Sequence, residues 1–123
     1  MKIRDHRELD VFKIAFKASM EIFELSRDFP KYEMYSLTDQ IRRSSRSVCA
    51  NLSEAFRKRK YPKAIVAKLS DSEGEAAETQ TWLEYCYKCG YMKKETSDKL
   101  IIEYDHVLGK LVNMALYPEQ WSY

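Results

Sequence analysis

The chain has 123 residues, 45% apolar and 33% charged. That balance suits one domain with an ordinary core and excludes a disordered or membrane-spanning chain. With only 3 Gly and 3 Pro, a turn-rich fold of many strands is excluded as well. The net charge of +2 conceals a sharp division: residues 42–68 carry 9 basic and 1 acidic side chains, whereas residues 69–84 carry 5 acidic and none basic. Three cysteines are too few and too odd for a disulfide framework. The start, Met1 to Glu8, lacks the apolar stretch of a signal peptide. The expected compartment is therefore the cytoplasm, with no membrane partner.

The first segment opens at Asp5, with Glu8 three residues on as a capping pair. Leu9, Phe12, Phe16, Met20, Phe23 and Phe29 follow at helical steps, with a small Ser19 in the stripe, and predict the buried face. Phe29-Pro30 ends the segment. A second helix is predicted from about Ser36, a good N-cap, to about Phe56. Leu37, Ile41, Ser45, Val48, Leu52 and Ala55 form its narrow inner stripe. Arg42, Arg43, Arg46 and Arg57 lie off it. Arg57-Lys58-Arg59-Lys60 is a self-repelling connector, and Pro62 suits the first position of a third helix. The inner stripe expected there is Ile65, Val66, Leu69, Glu73, Ala76, Gln80, Leu83 and Tyr87. Gly74 in mid-helix points to a close backbone contact, and Gly90 to a C-terminal cap. A fourth helix is expected from about Thr96 to Pro118, with Leu100, Ile101, Tyr104, Val107, Leu108, Leu111 and Ala115 inward. The fold class is all-α: an antiparallel up-down-up-down four-helix bundle forming a single domain over residues 1–123.

No arrangement with catalytic support emerges. Cys86-Tyr87-Lys88-Cys89 falls at a predicted helix C-terminus, where the dipole disfavours a thiolate, so ordinary structural cysteines are expected there and at Cys49. Glu103 and His106 have the spacing of one half of a di-iron site, but the second half is missing. No metal, cofactor or glycine-rich phosphate loop is expected. Ser47, Asn51 and Glu54 are polar residues beside the inner stripe of the second helix. They are expected to make interhelical hydrogen bonds, with Glu54 paired to a base.

The basic residues are the candidate binding site: Arg42, Arg43, Arg46, Arg57, Lys58, Arg59, Lys60 and Lys63. Guanidinium groups fork onto phosphate oxygens, lysines add point charge, and Tyr61 among them can stack on a base. This predicts a non-enzymatic protein that binds nucleic acid, RNA first. The alternative is a protein–protein adaptor whose charged patches serve subunit or partner contacts. In that case Arg42, Arg43 and Arg46 would pair between subunits with acids such as Asp71, Glu75 and Glu78.

Asp28-Phe29-Pro30, Glu33, Tyr35, Leu37-Thr38, Gln40-Ile41-Arg42-Arg43-Ser44-Ser45, Ser47-Val48, Ala50-Asn51-Leu52 and Glu54 make a longer pattern. It resembles the four-helix-bundle proteins known as 23S ribosomal RNA intervening-sequence proteins. Gly74, Glu78, Thr81, Leu83 and Gly90-Tyr91-Met92 agree more loosely. The accessory variability proteins of retroelements are similar to the same family. The resemblance implies an antiparallel bundle that assembles as a homopentamer, in a family with a poorly defined biochemical role. Its members are encoded in inserts of ribosomal RNA genes or elsewhere, and its retroelement relatives bind nucleic acid and a reverse transcriptase. Sixteen aromatic residues (9 Tyr, 5 Phe, 2 Trp) exceed what a small core needs, and the tail Tyr117 to Tyr123 is expected at a subunit contact. Ala55 stands where the family usually has glycine, and Glu75 replaces a small polar residue.

Overall fold

The computed structural model describes residues 3–120. Its four helices are α1 (Asp10–Ser26), α2 (Leu37–Arg57), α3 (Pro62–Lys88) and α4 (Lys94–Leu116), with short 3-10 turns at His6–Glu8, Lys31–Glu33 and Pro118–Gln120. Among the described residues there is no strand, and no helix is long and apolar enough to cross a membrane. Trp121, Ser122 and Tyr123, expected at a subunit contact, lie outside the described residues.

The helix ends show how local chemistry sets the boundaries. Asp5 and Glu8 do act as a capping pair, but on the 3-10 turn ahead of α1. The Asp5 carboxylate accepts from the Arg7 N–H at 2.8 Å, and Glu8 accepts from the Arg4 N–H at 3.1 Å. Ser36 occupies the N-cap position of α2 without capping it. Its hydroxyl donates to Glu33, and Glu33 accepts from the Leu37 N–H at 3.3 Å in its place. The Tyr91 hydroxyl donates to the same carboxylate at 2.8 Å. The Ser36 and Tyr91 bonds hold the Glu33 carboxyl below its ordinary range. α3 closes as the glycine pattern requires. Gly90 adopts φ 82°, and the N–H groups of Tyr91 and Gly90 donate to Cys86 and Tyr87 at 2.8 and 3.0 Å, a Schellman arrangement. α4 starts at Lys94, two residues earlier than its periodicity suggests. Ala55 does not stop α2, which runs on to Arg57 with Ala55 fully buried.

α2, α3 and α4 run antiparallel to their chain neighbours. As the α2 partner advances the α3 partner retreats: Ser44 meets Thr79, Val48 meets Ser72, and Glu54 meets Lys68. Gln80 donates to the Ile101 carbonyl and Ser97 to the Leu83 carbonyl in the same reversed order across α3 and α4. α1 packs on both α2 and α4 and completes the bundle. Side chains from all four helices share one core.

Two inner faces differ from the periodicity reading. The expected α1 stripe is buried at Leu9, Ser19 and Phe29, but its large side chains between Leu9 and Phe29 lie one face off. The residues that turn inward are Val11, Ala15, Ala18, Ser19, Ile22 and Ser26. Phe12 and Phe23 are half-buried, while Phe16 and Met20 stand 51% and 46% exposed. Small side chains let α1 lie against two neighbours at once, and the bulkier ring stripe is displaced to the flank. In α3 the inner line runs through Ser72, Thr79 and Cys86, with Glu73, Gln80 and Tyr87 at its edges. The small polar residues are inside because each finds a bond: Ser72 to the Val48 carbonyl at 2.8 Å, and Thr79 to Ser44 at 2.8 Å and to the Glu75 carbonyl at 2.9 Å. The α2 stripe is buried as its spacing predicts. The close contact expected at Gly74 does not exist within the chain. The residue is exposed, and a Cβ built there meets nothing within 4 Å.

Two pairs of substitutions test this packing by urea denaturation. Gly74→Ala should stabilise the chain by up to about 1 kcal/mol, because an exposed helical position in open space gains only helix propensity. Gly90→Ala should cost about 1 kcal/mol, because its positive φ opposes a Cβ; the same sign for both would refute the assignment. Ser72→Ala, which loses one bond, should cost about 1 kcal/mol. Ser72→Leu should cost at least about 2 kcal/mol through overpacking. Equal losses at Ser72 would mean that α2 and α3 are not held close there.

Candidate nucleic-acid interface

The basic residues of α2 fan out because successive positions turn by about 100°. Arg42 faces α1. Its Nε donates to the Ser26 hydroxyl at 2.8 Å, and its guanidinium lies 4.9 Å from the centre of the Phe23 ring. Arg46, one turn on, covers the same ring from 5.6 Å. Neither has a carboxylate within 4.0 Å among the described residues. Arg43 faces α3 and is paired. Its guanidinium donates to Glu78 at 3.2 Å and to the Gln40 carbonyl oxygen at 3.0 Å, and approaches Glu75 to 4.0 Å. Two acids considered as partners in a neighbouring subunit are thus used within the chain. Asp71, the third, lies 3.9 Å from Lys68. The three arginines line one side of a shallow groove of about 550 Å³ together with Tyr35, Asp39 and Ala50.

The second basic group lies around the α2–α3 turn. The Lys58 N–H caps α2 on the Glu54 and Ala55 carbonyls, and the chain turns through Tyr61 into Pro62. Arg59 folds back: its guanidinium donates to the Phe56 carbonyl at 2.9 Å and sits 3.9 Å above the Phe56 ring. A cation is well placed there, against the negative end of α2. Arg57, Lys58, Lys60 and Lys63 are exposed. Among the described residues none of these four has a carboxylate within 4.0 Å. Glu54, the one acid of the basic block, is taken by Lys68 at 2.8 Å, and this contact lowers the pKa of the Glu54 carboxyl. The two groups are joined along one helix edge. Arg57 follows Arg46 by eleven residues, about three turns and about 16 Å, so the two project within about 20° of each other.

The other constellations resolve as structure. Asn51 bonds within its own helix, donating to the Ser47 carbonyl at 3.0 Å and its hydroxyl at 3.2 Å. The interhelical role expected of Ser47 and Asn51 belongs to Ser44, Ser72, Thr79 and Ser97. Burial pushes the Cys49 thiol up to about 11 and the Cys86 thiol up to about 12, the reverse of an activated nucleophile. Cys89 is exposed at the C-cap of α3. His106 is exposed, and the neighbouring Asp105 accepts from Gln80 at 2.8 Å. Residues that sequence reasoning passed over are Phe23, the platform under two arginines, and Tyr35, at the groove wall and 93% exposed. Only the longer family-like pattern drew attention to Tyr35. Its exposure depends on how the connector folds.

The comparisons with known proteins agree with the geometry on fold. No curated protein matches the chain. It is similar to the crystal structure of a protein of unknown function from the S23 ribosomal protein family of Bacteroides thetaiotaomicron, with TM-score 0.76 and 23% identity, over 85% of this chain and 94% of that one. At that identity the likeness speaks for the four-helix fold alone. The sequence itself matches the 23S rRNA-intervening sequence proteins over residues 7–113. That span takes in α1, α2, α3 and all but the end of α4, and the chain belongs to the 23S rRNA-intervening sequence protein family.

Proposed function

We propose that the chain is a non-enzymatic, cytoplasmic, homo-oligomeric protein that binds nucleic acid through its basic edge. RNA is the polymer to try first, since the family name ties its members to an intervening sequence of 23S rRNA. The observation that carries the reading is the run of Arg42, Arg46, Arg57, Lys58, Lys60 and Lys63. These cations lie along α2, its turn and the first turn of α3, and among the described residues none has a carboxylate within 4.0 Å. Such a row attracts a polyanion and releases its counterions. Arg43 and Arg59 are tied to the protein and steady the row rather than lead it.

Self-association rests on apolar surface. Phe16 and Met20 are about half exposed beside the Phe23–arginine stack, and Ile102, Val112 and Leu116 are exposed along α4. Exposed apolar side chains of this kind support an interaction face. Five copies is the expected count, and each added copy repeats the basic row and adds avidity.

The test is a triple charge reversal, Arg57→Glu, Lys60→Glu and Lys63→Glu, at exposed positions where stability should change little. Binding to single-stranded RNA should fall at least about tenfold, and its salt dependence should become shallower. Circular dichroism and the light-scattering mass should stay as in the parent. Unchanged RNA affinity with the oligomer intact would favour the adaptor reading instead. A parent mass of one chain at micromolar concentration would contradict the oligomer.

A further inference from the structure

At the end of the bundle where α2 begins and α3 ends, a second cavity of about 390 Å³ adjoins the arginine groove. Its walls include Tyr35, Gln40, Trp82, Tyr85 and Cys89. Tyr35 belongs to both cavities. An exposed tyrosine alone is ordinary, but this ring separates a cationic groove from an aromatic one. Among the described residues its hydroxyl makes no hydrogen bond and its ring stacks on no other ring. Trp82 and Tyr85 meet at 5.8 Å with their planes 48° apart, which leaves ring faces open rather than closed on each other. Trp82 is fixed in place by donating from Nε1 to Glu78 at 3.3 Å. The same Glu78 oxygen accepts from Arg43 at 3.2 Å, so one carboxylate orients a wall of each cavity. Gln40 lines the aromatic cavity and reaches the groove through Arg43. Its oxygen accepts from Arg43, and its amide nitrogen has no acceptor among the described residues.

Aromatic faces beside a row of guanidinium groups meet the needs of an unpaired nucleotide. The base stacks on a ring, and the phosphates take the charge. Resting on the nucleic-acid reading above, we propose that the Tyr35 junction is the site of an unpaired nucleotide. Its base lies in the Trp82–Tyr85 cavity and its flanking phosphates lie on Arg42 and Arg46. Gln40 supplies a donor for a carbonyl on the base edge. A base held in a duplex cannot reach this cavity, so the junction selects single strands. The basic turn, about 16 Å further along α2, then holds the continuing backbone and needs no base at all.

The experiment titrates a single-stranded oligouridine, and a duplex RNA of equal length, into the protein in a Trp121→Phe background. That background leaves Trp82 as the one tryptophan of the two in the chain. Anisotropy of a labelled oligouridine gives affinity independently, with the native Trp121 in place. Oligouridine should quench Trp82 fluorescence, and duplex should not. Tyr35→Ala with Tyr85→Ala should weaken oligouridine binding at least about tenfold, while Tyr35→Phe keeps the parent affinity. If oligouridine binds the parent and the double alanine variant equally, without quenching, the junction is not the site and the basic-edge reading stands alone. If the parent binds neither RNA, both the junction and the nucleic-acid reading are overturned.

Discussion

The bundle depends on a seam of buried hydroxyls between α2, α3 and α4. Ser44, Ser72, Thr79 and Ser97 are at most 2% exposed, and each bonds to a neighbouring helix. Such residues are small enough for two helix backbones to approach closely, and a buried hydroxyl is costly unless it is paired. The pairs therefore set both the separation of the helices and their register. A one-residue slip would take Ser72 and Ser97 away from their interhelical acceptors.

The exterior follows from that choice. With small residues holding the middle of α3, the core is filled by aliphatic side chains such as Ile41, Leu52, Leu69, Leu83 and Leu100, and by one fully buried ring, Tyr104. Many other aromatic side chains are displaced outward: Phe16 to the α1 flank, Tyr35 to the connector, Tyr61 to the basic turn and Tyr85 to the end of α3. The outer edges of α2 are left to arginine. Aromatic rings and guanidinium groups consequently share a surface, most plainly where Arg42 and Arg46 cover Phe23. A cation resting on a ring keeps its charge facing outward while its plane is held. That arrangement fixes the orientation of the guanidinium group.

Much of the fold was legible in the sequence because strong signals agreed. The α2 stripe, Pro62 at the start of α3 and Gly90 after its end each combine a spacing with a residue type suited to one backbone conformation. The two misreadings have different causes. Periodicity weighs a residue by its hydrophobicity, so in α1 Phe16 and Met20 outweigh Ala15 and Ala18. In α3, helical steps from Leu69 and Ala76 reach Glu73 and Gln80 as readily as Ser72 and Thr79, so spacing alone does not choose between them. Whether a small polar residue is inside depends on an acceptor in another helix, and no single segment contains that information. The candidate site divides in the same way. The positive charge of residues 42–68 is visible in composition. That Arg43 is neutralised by Glu78 and Arg59 is folded onto Phe56 is a matter of helix pairing.

The central claim is that the unneutralised cations along α2 and its turn hold a nucleic-acid backbone. The most direct measurement is the dependence of single-stranded RNA affinity on salt for the unaltered protein. If Arg42, Arg46, Arg57, Lys58, Lys60 and Lys63 each neutralise one phosphate, the logarithm of the association constant should fall against the logarithm of salt with a slope near about −4 per bound chain. A slope shallower than about −1, or no association at low salt, would contradict the account.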